Sequence, residues 1–170
     1  DQDGMVEAKK TGVTWLYVET VNNQDSDGWR YPSASCCVKV LGTPTWVRFQ
    51  SATTTMGSGT TGGIYFEFGP EYGDPELIEW KVSDPSVMEV SSVEAYGSWG
   101  NVYVQAKASG TAKLSAVVDG VDMASCEVTV VVLPSEVRIE PSEIYLFVGE
   151  TQQLTATILP EDATDKSVTW

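Results

Sequence analysis

The feature that most constrains this chain is a repeat. Slid against itself by 90 residues, the sequence matches without a gap. Cys36 falls on Cys126, Val38 on Val128, Val40 on Val130 and Pro44 on Pro134. Val47-Arg48 falls on Val137-Arg138, Gly59 on Gly149, Thr61 on Thr151, Pro70-Glu71 on Pro160-Glu161, and Trp80 on Trp170. Apolar character agrees where identity does not: Phe49 with Ile139, Ile64 with Leu154, Phe68 with Ile158. The N-terminal stretch matches at a shift of 98, placing Gly12 on Gly110 and Leu16 on Leu114. Eight extra residues therefore lie around Asn22 to Tyr31, in a loop that is longer in the first copy. A fixed period of this size means one small unit used more than once.

The period divides the chain into three parts. Residues 1–43 match the C-terminal half of a module, 44–133 form a complete module, and 134–170 match the N-terminal half of a further one. A chain that begins and ends in mid-module is expected of a segment of a longer tandem array. Asp1 in first place fits a mature protein or a cut fragment.

Each module reads as strands. Ile64–Phe68, Leu77–Val82, Val87–Val90, Val102–Ala106, Ala112–Val118 and Cys126–Val132 alternate apolar and polar residues or run apolar. Gly69-Pro70, Gly73-Asp74-Pro75, Asp84-Pro85, the stretch Glu94–Asn101, Asp119-Gly120 and Pro134 separate them as turns and loops. No convincing 3.6-residue apolar period is present. About seven short strands in about 90 residues is the pattern of an immunoglobulin-like sandwich. The expected fold class is all-β, as tandem immunoglobulin-like β-sandwiches. Trp80, between Ile78 and Val82 in one strand, is the expected core aromatic.

Composition closes several functional classes. Twenty-four acids against ten bases give a net charge of −14, the wrong sign for displacing counterions from a nucleic acid. It also disfavours docking on anionic lipid. The longest apolar run, Val130–Leu133, is far too short to cross a bilayer, so no direct membrane insertion is expected. The histidine count is zero, which removes Ser-His-Asp and Cys-His catalysis and imidazole metal sites. No catalytic residue, metal site or cofactor is expected.

A family pattern emerges from the last copy. Val148-Gly149-Glu150-Thr151, Gln153–Ala156, Leu159–Ala163 and Ser167–Trp170 resemble the bacterial immunoglobulin-like domain, group 2. Trp80–Val87 and Ala108–Leu114 continue the pattern in the complete module, where Gly59-Thr60-Thr61 stands for the Gly-Glu-Thr turn. The resemblance implies a sandwich module of bacterial surface or secreted proteins that serves in stalks or adhesive arms. It brings no common catalytic residue. The glycine turns the chain and the tryptophan fills the core.

Several groups of residues compete for a functional role. Gly57-Ser58-Gly59-Thr60-Thr61-Gly62 satisfies G-x-G-x-x-G literally, but a dinucleotide site needs a strand–helix context. The next copy has Phe147 and Gln152 at the outer glycines, so the stretch reads as a turn. Asn23, Asp25, Asp27 and Gly28 resemble the start of a calcium loop, yet the twelfth position is Ala34, where a bidentate glutamate is needed. Glu71, Asp74, Glu76 and Glu79 cluster near one turn, and the next copy clusters acids similarly, which suits a solvated turn.

The aromatic residues are the better candidates. Trp29 and Tyr31 in the long loop, with Tyr96 and Trp99 in the Glu94–Asn101 loop, are candidate ligand-binding residues. Such rings could stack on a sugar or anchor a protein. Trp15, Tyr17 and Trp46 align with the polar Lys113, Ser115 and Glu136, so they are expected to point outward and to pack between modules. Cys36 and Cys126 share one inward position and are expected to be buried free thiols. Cys37 has the opposite parity and should face out.

The expected function is a non-catalytic structural and adhesive segment of an extracellular or bacterial cell-surface array, acting as spacer and weak binder. The alternatives are a glycan-binding module of a polysaccharide-utilising surface protein and a phage-particle decoration domain. The expected partners are neighbouring immunoglobulin-like modules and a cell-surface glycan or protein.

Overall fold

The computed structural model describes residues 4–19 and 33–170. Trp29, Tyr31 and the calcium-like stretch Asn23–Gly28 lie outside the described residues. The rest is strands joined by turns, with one turn of 3-10 helix at Pro75–Leu77. In chain order the strands are β1 (Gly12–Glu19), β2 (Ser33–Val40), β3 (Trp46–Phe49), β4 (Thr53–Gly57), β5 (Thr61–Gly69) and β6 (Glu79–Val82). They continue as β7 (Met88–Tyr96), β8 (Trp99–Ala106), β9 (Gly110–Val118), β10 (Val121–Val131), β11 (Glu136–Glu140) and β12 (Thr155–Leu159).

Two four-stranded sheets, β3-β5-β8-β7 and β4-β10-β9-β6, face each other across the middle of the chain. β3 pairs antiparallel with β5, while β4 crosses over and pairs parallel with β10. A first strand shared between both sheets is a familiar arrangement of an immunoglobulin sandwich, and the tandem all-β class read from the sequence is what the chain adopts. β1-β2 and β11-β12 form separate two-stranded sheets on either side in the sequence.

Period-2 alternation builds the core. Val47, Ile64, Phe66, Phe68, Val102 and Val104 come from one sheet, and Ala112, Leu114, Ala116, Cys126, Val128 and Val130 from the other. Trp80 enters from edge strand β6 and meets Phe66 edge-on at 4.7 Å and Phe49 at 5.9 Å. It is half-buried, sealing one side of the core. Gly100 is required opposite Phe66. A Cβ there would stand 2.2 Å from the Glu94 carbonyl oxygen and 2.9 Å from the Phe66 ring.

The repeat also sets strand register. Leu16 pairs with Cys36 in β1-β2 as Leu114 pairs with Cys126 in β9-β10. Val137 pairs with Ile158 in β11-β12 as Val47 pairs with Phe68 in β3-β5.

The structure corrects four local expectations. Leu77 closes the 3-10 turn instead of opening a strand, because Asp74 accepts from the Glu76 N–H at 3.0 Å and Pro75 presets the first turn. The Glu94–Asn101 loop is mostly strand: Tyr96 pairs directly with Trp99 across a two-residue hairpin. Gly97, at φ +66°, supplies the backbone that turn needs. Cys36 is exposed, because no second sheet faces β2 among the described residues, whereas Cys126 is fully buried. Ser115 is buried although polar, since this small residue sits between Lys81 and Ser125 on flanking strands.

Candidate functional site: an aromatic sheet face

The strands that bury Phe66 and Phe68 turn their alternate residues outward. Along β5 these are Tyr65 and Glu67, along β3 Trp46 and Arg48, along β8 Trp99, Asn101 and Tyr103, and along β7 Glu94 and Tyr96. Register aligns them across the sheet. Arg48, Glu67, Trp99 and Tyr96 form one row, and Tyr65, Asn101 and Glu94 the next.

The rings are close enough to form one surface. Trp99 lies 5.2 Å from Tyr96 and 6.0 Å from Tyr65, the latter pair inclined by only 24°. Trp46 lies on Gly69, where a Cβ would come within 2.5 Å of the indole. The Arg48 guanidinium sits 5.7 Å from the Trp46 ring centre, within cation–π range. Trp46, Trp99 and Tyr96 keep 44%, 43% and 54% of their surface exposed, so a large part of each side chain remains open to solvent. An open groove of about 330 Å³ runs between Trp46, Tyr65 and Trp99, with Glu67 and Glu71 at its side.

Carboxylates bridge the side chains of this face. Glu67 accepts from Arg48 Nε at 2.7 Å, from Arg48 Nη2, and from the Tyr65 hydroxyl at 3.3 Å. Glu94 accepts from the Tyr96 and Tyr103 hydroxyls, each at 3.4 Å. Partial burial and then Glu67 push the Tyr65 phenol above its ordinary pKa; the charge of Glu94, then burial, do the same to Tyr103. Both hydroxyls stay protonated donors at neutral pH.

Of the seven residues singled out in the sequence, Tyr96, Trp99 and Trp46 meet on this face. Trp15 and Tyr17 lie elsewhere, on β1 opposite Cys37 and Ser35, and are 55% and 70% exposed. Sequence reasoning missed Tyr65, Glu67, Arg48 and Tyr103. The signal was available, since Tyr65 and Glu67 hold the outward parity of a strand already recognised. Which strands would lie side by side was not.

The other motifs find local roles. Gly57–Gly62 makes the turn from β4 to β5, with Gly59 at φ +79°. Asp74 caps the 3-10 turn, and Glu79 pairs with Lys81 at 3.3 Å. Among the described residues, no group of three or more metal-capable side chains comes together.

The linkers show a second recurrent geometry. The Asp74 N–H donates to the Gly42 carbonyl at 2.7 Å; 90 residues on, Thr164 donates to Val132 at 2.8 Å. Thr45 donates to Gly69 at 2.7 Å, and Ser135 to Leu159 at 2.8 Å. Gly73 donates to Pro70 at 2.7 Å, and Ala163 to Pro160 at 3.0 Å. Gly42 also lies against Thr11, whose Cγ2 is 2.6 Å from where a Cβ would stand.

The class these features define is the all-β immunoglobulin-like sandwich. Residues 135–170 match the bacterial Ig-like domain (group 2) family. Among solved structures, the Escherichia coli adhesin FdeC aligns over 87% of this chain and 51% of its own, at 15% identity and a TM-score of 0.51. Domains 4 and 5 of the S-layer protein SbsC align over 59% of this chain and 62% of theirs, at 17% identity and a TM-score of 0.40. No curated protein sequence matches the chain. No helix among the described residues is long and apolar enough to cross a membrane.

Proposed function

We propose that the chain is a non-catalytic segment of a bacterial cell-surface or secreted array of immunoglobulin-like modules. It acts as a spacer that also presents a weak binding face. Module boundaries fall at Thr43/Pro44 and Leu133/Pro134. The observation that carries this reading is the recurrence of the linker bonds at a spacing of 90 residues. A linker tied by backbone hydrogen bonds to the loop after the next module's second strand cannot swing freely. Successive modules then share one joint geometry, which a spacer needs. The acidic surface adds self-repulsion that keeps such an array extended and soluble.

Amide hydrogen exchange tests the joint. The Asp74 and Thr164 amides are expected to exchange at least about tenfold more slowly than in an unstructured peptide. Two glycines inserted after Thr43 should broaden the interatomic distance distribution seen by small-angle X-ray scattering. Unprotected amides, with scattering indifferent to the insertion, would sink the stiff-spacer reading.

A further inference from the structure

We propose that the outer face of sheet β3-β5-β8-β7 binds a neutral glycan chain, with Trp46, Tyr65, Trp99 and Tyr96 as the stacking surface. This names the ligand class for the binding face proposed above and rests on that reading.

The repeat supplies an internal control for what the fold itself requires. Inward positions stay apolar in the next copy: Val47 becomes Val137 and Phe68 becomes Ile158. Outward positions do not stay aromatic. Trp46 becomes Glu136, Tyr65 becomes Thr155 and Glu67 becomes Thr157. Arg48 is kept as Arg138, but its carboxylate changes: Arg138 Nε donates to Glu136 at 2.7 Å, where Arg48 donates to Glu67. The same backbone pairing therefore forms without this cluster of rings. Their presence in the complete module needs a cause other than strand pairing.

Chemistry selects the occupant. The patch joins aromatic faces to carboxylates and a guanidinium, and no aliphatic side chain lies in its two central rows. A pyranose matches that mixture: its C–H face is weakly positive and stacks on the electron-rich ring face, while its hydroxyls lie at the edge. Glu67 and Glu94 each have acceptor capacity beyond the bonds described, and Arg48 has further N–H donors. Three inter-strand steps separate Trp46 from Tyr96, a span of about 14 Å, the length of a short oligosaccharide. The local carboxylates and the net charge of −14 reject uronate-rich chains, so the ligand is uncharged. The open groove suits the side of a chain over an enclosed end group.

The experiment titrates the intact chain with laminarin, mannan, xylan and dextran, and with polygalacturonate as the anionic control. Indole and backbone amide shifts are followed by NMR. At least one neutral glycan should bind at millimolar concentration or better, with shifts confined to Trp46, Tyr65, Tyr96 and Trp99; polygalacturonate should not. Trp99→Ala should weaken binding at least about tenfold. Tyr96→Ala, at the more exposed end, should weaken it with an unchanged melting temperature. The proposal is overturned if no neutral glycan shifts these residues, or if binding survives both substitutions. The amide-exchange measurement on the same protein separates the two readings. A protected linker without glycan binding leaves the spacer standing, and an unprotected linker with glycan binding leaves only the site.

Discussion

Val47 and Val137 occupy one place in two copies of a repeat, yet Val47 is 5% exposed and Val137 57%. Cys126 is fully buried, while its counterpart Cys36 is exposed. Phe49 packs against the core, whereas Ile139 keeps half its surface in contact with solvent. Strand identity and register are the same in each pair, so neither decides burial. The central strands have a facing sheet across about 10 Å, and β1-β2 and β11-β12 have none among the described residues. An apolar stripe defines which face can be buried. Only a second stripe opposite it removes the water.

That contrast can be broken by experiment. The largest effect is expected in thiol chemistry. Cys36 and Cys37 should react with a thiol reagent on mixing, while Cys126 waits for unfolding and reacts about a thousandfold more slowly or worse. Burial also raises the Cys126 pKa, which lowers its thiolate fraction further. Equal rates at Cys36 and Cys126 would remove the distinction.

Core truncation should follow the same division. Phe68→Ala should cost about 3–5 kcal/mol in chemical denaturation, through lost burial and a cavity. Ile158→Ala, at the equivalent but half-exposed position, should cost under about 1 kcal/mol. An intermediate loss, of about 1–3 kcal/mol, is expected for Gly100→Ala, whose Cβ meets fixed backbone and the Phe66 ring. A fully stable Gly100→Ala variant would mean that Phe66 does not seat over that glycine.

The smallest effect concerns a feature both regions share. Asp84 accepts from the Ser86 hydroxyl and N–H, and Asp165 accepts from the Ser167 N–H. The serine hydrogen bonds hold each carboxyl below its ordinary pKa. A depressed folded pKa stabilises above the unfolded value of about 4, and the contribution drains away as pH falls through the lower native value. Asp84→Asn should therefore lower stability slightly at neutral pH, leave strongly acid pH almost unchanged, and so flatten the acid limb of a stability–pH curve. A steeper acid limb in the variant would reverse the sign and refute the assignment.

Turns that satisfy themselves within a few residues were legible from the sequence. Asp119-Gly120 takes the positive φ values of 51° and 79° that a tight two-residue hairpin needs, and the composition announces it. Alternation marked most strands of the central sandwich but not β3 or β4, and the repeat's offsets of 90 and 98 reproduce the register of both outer sheets. The hairpin at Gly97 was hidden because tyrosine and tryptophan beside glycine read equally well as loop or strand. Leu77 misled for a similar reason: its apolar side chain suited a strand, while Asp74 and Pro75 had already committed the backbone to a turn.

The candidate site divides along the same line. Outward parity at Tyr65, Glu67 and Tyr103 follows from alternation, which is a property of a single strand. Alternation carries no information about which strand lies beside which. Trp46, Tyr65 and Trp99 are 19 and 34 residues apart in the chain, and they meet because β5 pairs with β3 on one side and β8 on the other. The sequence by itself determined the 90-residue repeat, the alternation of the recognised strands and the tight turns that Asp-Gly announces, because each depends on neighbours within a few residues or on the repeat. The tertiary structure alone decided which inward faces were dried and which outward side chains formed one surface, because both depend on pairing and packing between segments far apart in the chain.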